Sequence, residues 1–248
     1  MLKGLQDYAG SIELISRLGL WKYFSIPIII SVLVASIIGF SAYGFSDDIG
    51  VWVSGVWSWD WGKSAFTTFS TIISAVIIIA IGLILFKHII MALSAPFMSP
   101  VSEKIESHLL GNSHVTSRNS SFMAQLWRGV RINGRNLIME LLITIPLLLL
   151  KFIPVVNIFS TVLLFLLQAY YAGFGNMDYT LERHFSYRES IKFVRQNKGI
   201  AIGNGTGFLL LLLIPVVGVL MVLPFSVTAA SVSTVRKLNA GRASQRIT

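Results

Sequence analysis

Apolar positions fall into long unbroken runs separated by short polar stretches, and the length and period of each run set the elements. In residues 1–22, Leu2, Leu5, Tyr8, Ile12, Ile15 and Leu18 recur at helical spacing with Lys3, Asp7 and Glu13 between them. This predicts an amphipathic N-terminal helix, lying in a membrane interface or packed on the rest of the protein. Residues 23–43 form an uncharged run of 21, and residues 64–86 a second of 23. At about 1.5 Å per residue each spans the roughly 30 Å of a bilayer's hydrocarbon core. Between them, residues 44–62 hold Asp47, Asp48 and Asp60 but no Lys or Arg, and carry Trp52, Trp57, Trp59 and Trp61. That is the aromatic signature of a membrane–water boundary, and it predicts an external loop. The apolar stretch resumes after Lys87-His88 and ends near Pro96-Phe97, so residues 23–97 read as two long membrane helices.

Residues 98–136 are polar and read as a cytoplasmic helical segment. A helix is expected from Pro100-Val101-Ser102-Glu103 through Leu110, stopped by Gly111-Asn112 and followed by a Ser/Asn-rich loop. Arg128, Arg131 and Arg135 then fall three and four apart, on one helical face. Two later segments share a pattern: an apolar limb, then Ile-Pro-Val-Val followed by Asn157 or Gly218, then a second apolar limb. The proline stops the incoming helix and the Asn or Gly tolerates a turn. The incoming limbs, 137–152 and 200–213, reach only about 24 and 21 Å, short of the hydrocarbon core. Residues 137–177 and 200–235 are therefore expected to be helical hairpins that enter the membrane and turn back inside it. The alternative is six full spans joined by very tight external turns. Residues 178–199 form a second cytoplasmic segment and 236–248 a basic tail. The predicted fold is an all-α integral membrane protein, one membrane domain over 1–248, with two long transmembrane helices and two re-entrant hairpins.

Composition narrows the function classes. Of 248 residues, 54% are hydrophobic and 12% charged, with mean hydropathy +0.72. About 25% charge is usual in a soluble domain, so an ordinary soluble enzyme is excluded. The net charge is nonetheless +9, and on so apolar a chain a basic excess points to a membrane surface rather than to nucleic acid. The basic residues avoid 44–62 and gather in the N-terminal segment, 87–135, 183–198 and the tail, so both termini are expected to be cytoplasmic. The weak asymmetry around the first span also allows inverted insertion. Asp7 and Glu13 and the long run after them argue against a cleaved signal peptide. With no cysteine, and four histidines in no metal-ligand pattern, neither metal nor cofactor is expected.

No enzyme constellation stands out, and a lipid-modifying enzyme would need a His/Asp/Glu cluster that is missing. Glu140 is the one acid inside a long apolar segment; it either serves a path through the membrane or pairs with a nearby arginine one turn away. Lys151, beside a hairpin turn, either snorkels to a surface or lines a polar path. The Arg128, Arg131, Arg135 stripe either draws anions or lipid phosphates, or is a plain positive-inside segment. Gly203-Asn204-Gly205-Thr206-Gly207 lacks the features of a phosphate loop and reads as a close helix contact. The most informative element is Gly19-Leu20-Trp21-Lys22, followed by Pro27. A helix beginning there offers unpaired N–H groups at its positive end, and with Lys22 and Arg17 they would form an anion site at the membrane surface.

That turn with Pro27, the Ala95-Pro96-Phe97 helix exit, the Glu103 to Leu110-Gly111 helix, the arginine-rich segment and the two Ile-Pro-Val-Val hairpins, in this order and spacing, resemble the CysZ family of bacterial sulfate permeases, within the wider etoposide-induced membrane protein superfamily. The resemblance covers nearly the whole chain. It implies two long transmembrane helices with two partly penetrating helix pairs, assembly into homo-oligomers in the bacterial inner membrane, and import of sulfate for cysteine synthesis without an ATPase. It also implies a sulfate site at the Gly-Leu turn, where two arginines usually follow. Here those positions are Trp21 and Lys22, so either Arg17 or Lys3 supplies a second charge or another inorganic anion is carried. The functional expectation is an anion permease or channel with Gly19, Leu20, Trp21, Lys22 and Arg17 at the capture site. Lys151, Glu140, Arg128, Arg131 and Arg135 are its path candidates. The rival from another class is a membrane-shaping scaffold whose partners are lipids alone.

Overall fold

The computed structural model describes residues 2–56, 61–111, 120–150 and 153–245, and every regular element among them is helical. The order is α1 (Leu2–Gln6), α2 (Ser11–Arg17), α3 (Trp21–Ser54), α4 (Lys63–Leu110), α5 (Phe122–Leu149), α6 (Pro154–Leu181), α7 (Tyr187–Gln196), α8 (Lys198–Leu212) and α9 (Val217–Gln245). Five of them, α3, α4, α5, α6 and α9, are long and apolar enough to cross a membrane, and the chain is a multi-pass membrane protein. Ile37, Phe40, Ile72 and Val76 stand exposed along α3 and α4, which suits a hydrocarbon solvent and not water.

Lipid gives apolar side chains no reason to leave it, so α3 and α4 associate by close packing of small residues. Ala42, Ser46, Gly50 and Ser54 recur every fourth residue on the buried face of α3, and Ser70, Ser74 and Gly82 are buried on α4. A Cβ at Gly50 would lie 2.6 Å from Thr71 Cα, so only glycine admits this approach. The contact carries α3 past the end of its apolar run. Residues 44–54, expected in an external loop, continue the helix through Asp47 and Asp48, while Trp57, Trp59 and Asp60 lie outside the described residues.

The second long helix also departs from expectation. Instead of leaving at Pro96-Phe97 and restarting at Pro100, α4 is one helix of 48 residues with both prolines inside. Its length is about 72 Å. Pro96 deprives the Ala92 carbonyl of its helical donor. Gly129 of α5 packs against that carbonyl so closely that a Cβ there would lie 2.8 Å from the oxygen. The proline stretch is thus embedded in protein: Ala95, Pro96, Met98, Ser99, Val101 and Ser102 are all buried.

The Gly-rich run of α8 is a helix crossing. A Cβ on Gly205 would overlap the Ala169 carbonyl of α6, and one on Gly173 would overlap that of Ala201. The N-terminal segment is two helices rather than one. Gly4 of α1 lies against the Ile200 carbonyl, and the Tyr8 hydroxyl donates to the Asn204 carbonyl at 2.7 Å. Gly4, Ser11 and Ile15 are buried in this docking, while Leu2, Leu5 and Ile12 stay exposed.

The two Ile-Pro-Val-Val segments do not make the same turn. Pro154 occupies the first turn of α6 after an extended Ile153, the position where its missing N–H costs nothing. Asn157 therefore sits inside a helix. At the second segment the left-handed residue is Val216 (φ 62°), not Gly218, which lies inside α9. Gly218 is needed for approach instead, because a Cβ there would overlap the Leu211 carbonyl.

Candidate functional site

The segment between α2 and α3 is built by a glycine stop. Gly19 adopts φ +60°, its N–H donates to the Ser16 carbonyl (3.2 Å), and the Leu20 N–H reaches back to the Ile15 carbonyl (2.9 Å). These two bonds, with Ile15 and Leu20 buried in one cluster, form a Schellman stop. Leu20 is fully buried and pins the turn, leaving Gly19, Trp21 and Lys22 exposed. Helix α3 starts at Trp21 with no side-chain cap, and of its first-turn N–H groups, at the positive end of the dipole, that of Tyr23 donates to the Leu20 carbonyl (2.9 Å). Trp21 Nε1 donates to Ser16 Oγ at 3.3 Å and brings no charge. Lys22 Nζ lies 5.3 Å from the centre of the Tyr23 ring, and Lys104 Nζ, from α4, lies 5.2 Å from the same ring. A second cation therefore does reach this helix start, from a residue remote in sequence. Arg17 is exposed at the edge of a neighbouring cleft that Lys3 also lines.

Glu140 is fully buried, and its partners are not an arginine but Lys87 Nζ (2.5 Å) and His88 Nε2 (3.1 Å) of α4. Lys87 and His88 are themselves buried. The triad joins α4 to α5 through charges shielded from water, where each member depends on the others. Lys151 lies outside the described residues.

The arginine stripe divides. Arg128 makes a two-pronged pair with Asp178 (Nε–Oδ2 3.0 Å, Nη2–Oδ1 2.9 Å) and also donates to the Phe185 carbonyl and Ser190 Oγ. Its guanidinium is thus committed to α6 and α7, which leaves little of it for an anion. Arg131 is exposed with its guanidinium 4.1 Å from the centre of the Tyr187 ring, and Arg135 donates to Asn136 Oδ1 at 3.1 Å.

A further buried network lies at the end of α6. Arg183 donates through Nε and Nη2 to Glu106 Oε2 (3.2 and 2.9 Å), and through Nη1 to Ser102 Oγ (2.6 Å) and the carbonyls of Ser99 and Tyr179. His184 Nε2 lies 2.7 Å from Glu106 Oε1. Glu182, just past the end of α6, accepts from Ser99 Oγ. Burial pushes its carboxyl up to about 7, against the counter-pull of that hydroxyl. Sequence reading passed over Lys104, Lys87, His88, Glu106 and Arg183 as site members. The one available signal was that Lys87-His88 interrupts an otherwise apolar helix.

Residues 8–222 match the family described as Sulfate transporter CysZ/Etoposide-induced protein 2.4. Among curated relatives, the protein named Sulfate transporter CysZ of Pseudomonas paraeruginosa is 28% identical over 239 residues, covering 95% of this chain and 96% of the relative. Proteins of the same name from Pseudomonas aeruginosa and Pseudomonas fluorescens are 27% and 26% identical, over 95% and 97% of this chain and 96% of each relative.

Proposed function

The chain belongs to the Sulfate transporter CysZ/Etoposide-induced protein 2.4 family, and on that premise we propose that it is a sulfate permease of the bacterial inner membrane, importing the anion without hydrolysing ATP. The observation that carries the reading is the start of α3. A left-handed Gly19 exposes the helix N-terminus, Lys22 follows it, and Lys104 shares the Tyr23 ring with Lys22. Two ammonium groups beside a helix N-terminus answer the charge of a dianion, and backbone N–H groups supply directed donors. Lys104 fills the role of the second basic residue that Trp21 vacates, and Arg17 adds long-range attraction from α2. In this reading the α5/α6 and α8/α9 pairs enter the bilayer without crossing it, several copies assemble around the path, and both termini are cytoplasmic.

The driving force needs a source. An inside-negative potential of 100 mV opposes a dianion by about 4.6 kcal/mol. Import therefore requires a steep gradient, a coupled cation, or rapid consumption inside the cell for cysteine synthesis. The test is uptake of radiolabelled sulfate into liposomes holding the purified protein, with sulfite, phosphate and chloride as competitors. Uptake reduced by excess cold sulfate and not by chloride is the expected result. Preference for another anion would keep the permease and change its substrate; no flux of any anion from a folded protein would favour a lipid-shaping scaffold.

A further inference from the structure

A cleft of about 850 Å³ opens between α1, α2, the C-terminal turn of α4, the start of α8 and the last turns of α9. Its charges are unbalanced. Asp7 is occupied, accepting from Arg236 Nη1 and Ser233 Oγ at 2.7 Å each. The side chains of Lys3, Arg17 and Lys237 also line it and have no carboxylate or hydrogen-bond partner among the described residues; Glu13 is the one acid there whose side chain is unpaired. Three cations against one carboxylate leave a surplus of two positive charges facing one space, with His108 beside them.

The walls are set before any ligand arrives, because Gly4 and Tyr8 hold α1 on α8. Leu14, Leu109, Ile200 and Val232 add apolar surface to the lining. Helices α1 and α2 turn Lys3, Asp7 and Arg17 toward the cleft and leave Leu2, Leu5 and Ile12 exposed elsewhere. An amphipathic pair with its apolar side on the membrane directs the opposite, polar side to water. The volume lies within the roughly 300–1,000 Å³ of small-molecule sites and far exceeds what a bare oxyanion fills.

We propose that this cleft binds a water-soluble organic anion of nucleotide size, a phosphate or sulfate ester on a partly apolar body. Lys3, Arg17 and Lys237 hold the ester, the apolar wall takes the ring, and Glu13 accepts from an amine or hydroxyl. The inference does not rest on sulfate transport, because it is read by binding without flux.

The test titrates adenosine 5′-monophosphate and, separately, inorganic phosphate into the purified full-length protein by calorimetry. The measurement is repeated with Lys3→Gln, Lys237→Gln and the double variant, then with the protein in phosphatidylglycerol nanodiscs. Folding of each variant is checked by its elution and unfolding profile, and Lys3→Arg/Lys237→Arg provides the rescue. The expected result is nucleotide binding at least 10-fold tighter than phosphate, weakened 10-fold or more in the double variant, restored by arginine and retained in nanodiscs. Equal binding of phosphate, unchanged binding in correctly folded glutamine variants, or loss of the nucleotide to phosphatidylglycerol would overturn it, the last by assigning the cleft to a lipid headgroup. If the double variant does not fold, the singles give the same reading with a smaller loss.

Discussion

Replacing Glu140 by Gln removes one charge from a site that neither water nor lipid headgroups reach. Glu140 is fully buried and meets Lys87 Nζ at 2.5 Å and His88 Nε2 at 3.1 Å. Gln preserves the volume, so the perturbation is electrostatic: the Lys87 ammonium stays buried without its counter-charge. Removing one partner of a buried ion pair costs about 3–5 kcal/mol, roughly a hundred- to several-thousand-fold in the unfolding equilibrium. Removing both charges is a different perturbation. Lys87→Met/Glu140→Gln takes away both charges at similar side-chain volume, so neither partner is left buried without its counter-charge. The double variant should therefore be more stable than either single, with a coupling energy of about 2 kcal/mol or more. Unfolding by SDS titration in mixed micelles, followed by tryptophan fluorescence, measures all four members of the cycle. If the Glu140→Gln and Lys87→Met losses are each below about 0.5 kcal/mol, or simply add in the double variant, the triad is not the clamp between α4 and α5 described above.

Two further outcomes follow from packing and burial. Gly205→Ala would drive a methyl into the Ala169 carbonyl and separate α6 from α8, at a cost of about 3 kcal/mol or more, whereas Gly134→Ala on α5 meets open space and should be neutral or slightly stabilising. The surviving fraction on size-exclusion after mild heating distinguishes them. Glu182, with its carboxyl raised from 4.5 to about 7, holds its proton in the folded state over a range where the unfolded chain has released it. Stability should then fall as pH rises from about 4.5 to 7, by about 3 kcal/mol in all, and Glu182→Gln should flatten that portion of the unfolding-midpoint profile against pH.

The apolar runs at 23–43 and 64–86 made the two long helices legible, because uninterrupted hydropathy of that length has few other uses. Their ends were not legible. Asp47 and Asp48 mark where the apolar run stops, but α3 continues because Gly50 and Ser54 keep their contact face. Pro96 and Pro100 read as breaks, yet α4 passes through both, since packing from α5 and α6 outweighs two missing donors. Matching Ile-Pro-Val-Val words produced different turns because the backbone answers to the helices on either side. At the site, Gly19 was readable as a stop, its left-handed conformation being what a helix end before Leu20 requires. Lys104 was not, because a charge that arrives from another helix leaves no trace in local spacing. The same holds for Glu140, whose local sequence suggests an arginine partner while the fold supplies Lys87 and His88.

The central claim is that sulfate enters at the start of α3, held by Lys22 and Lys104 about the Tyr23 ring. Initial rates of radiolabelled sulfate uptake into proteoliposomes, wild type beside Lys22→Glu and Lys104→Glu, test it most directly. Both residues are exposed, so folding should survive each substitution. Uptake at least 10-fold slower in both variants, at equal incorporation, is the predicted result. Wild-type rates in both would contradict the account and move sulfate capture away from this turn.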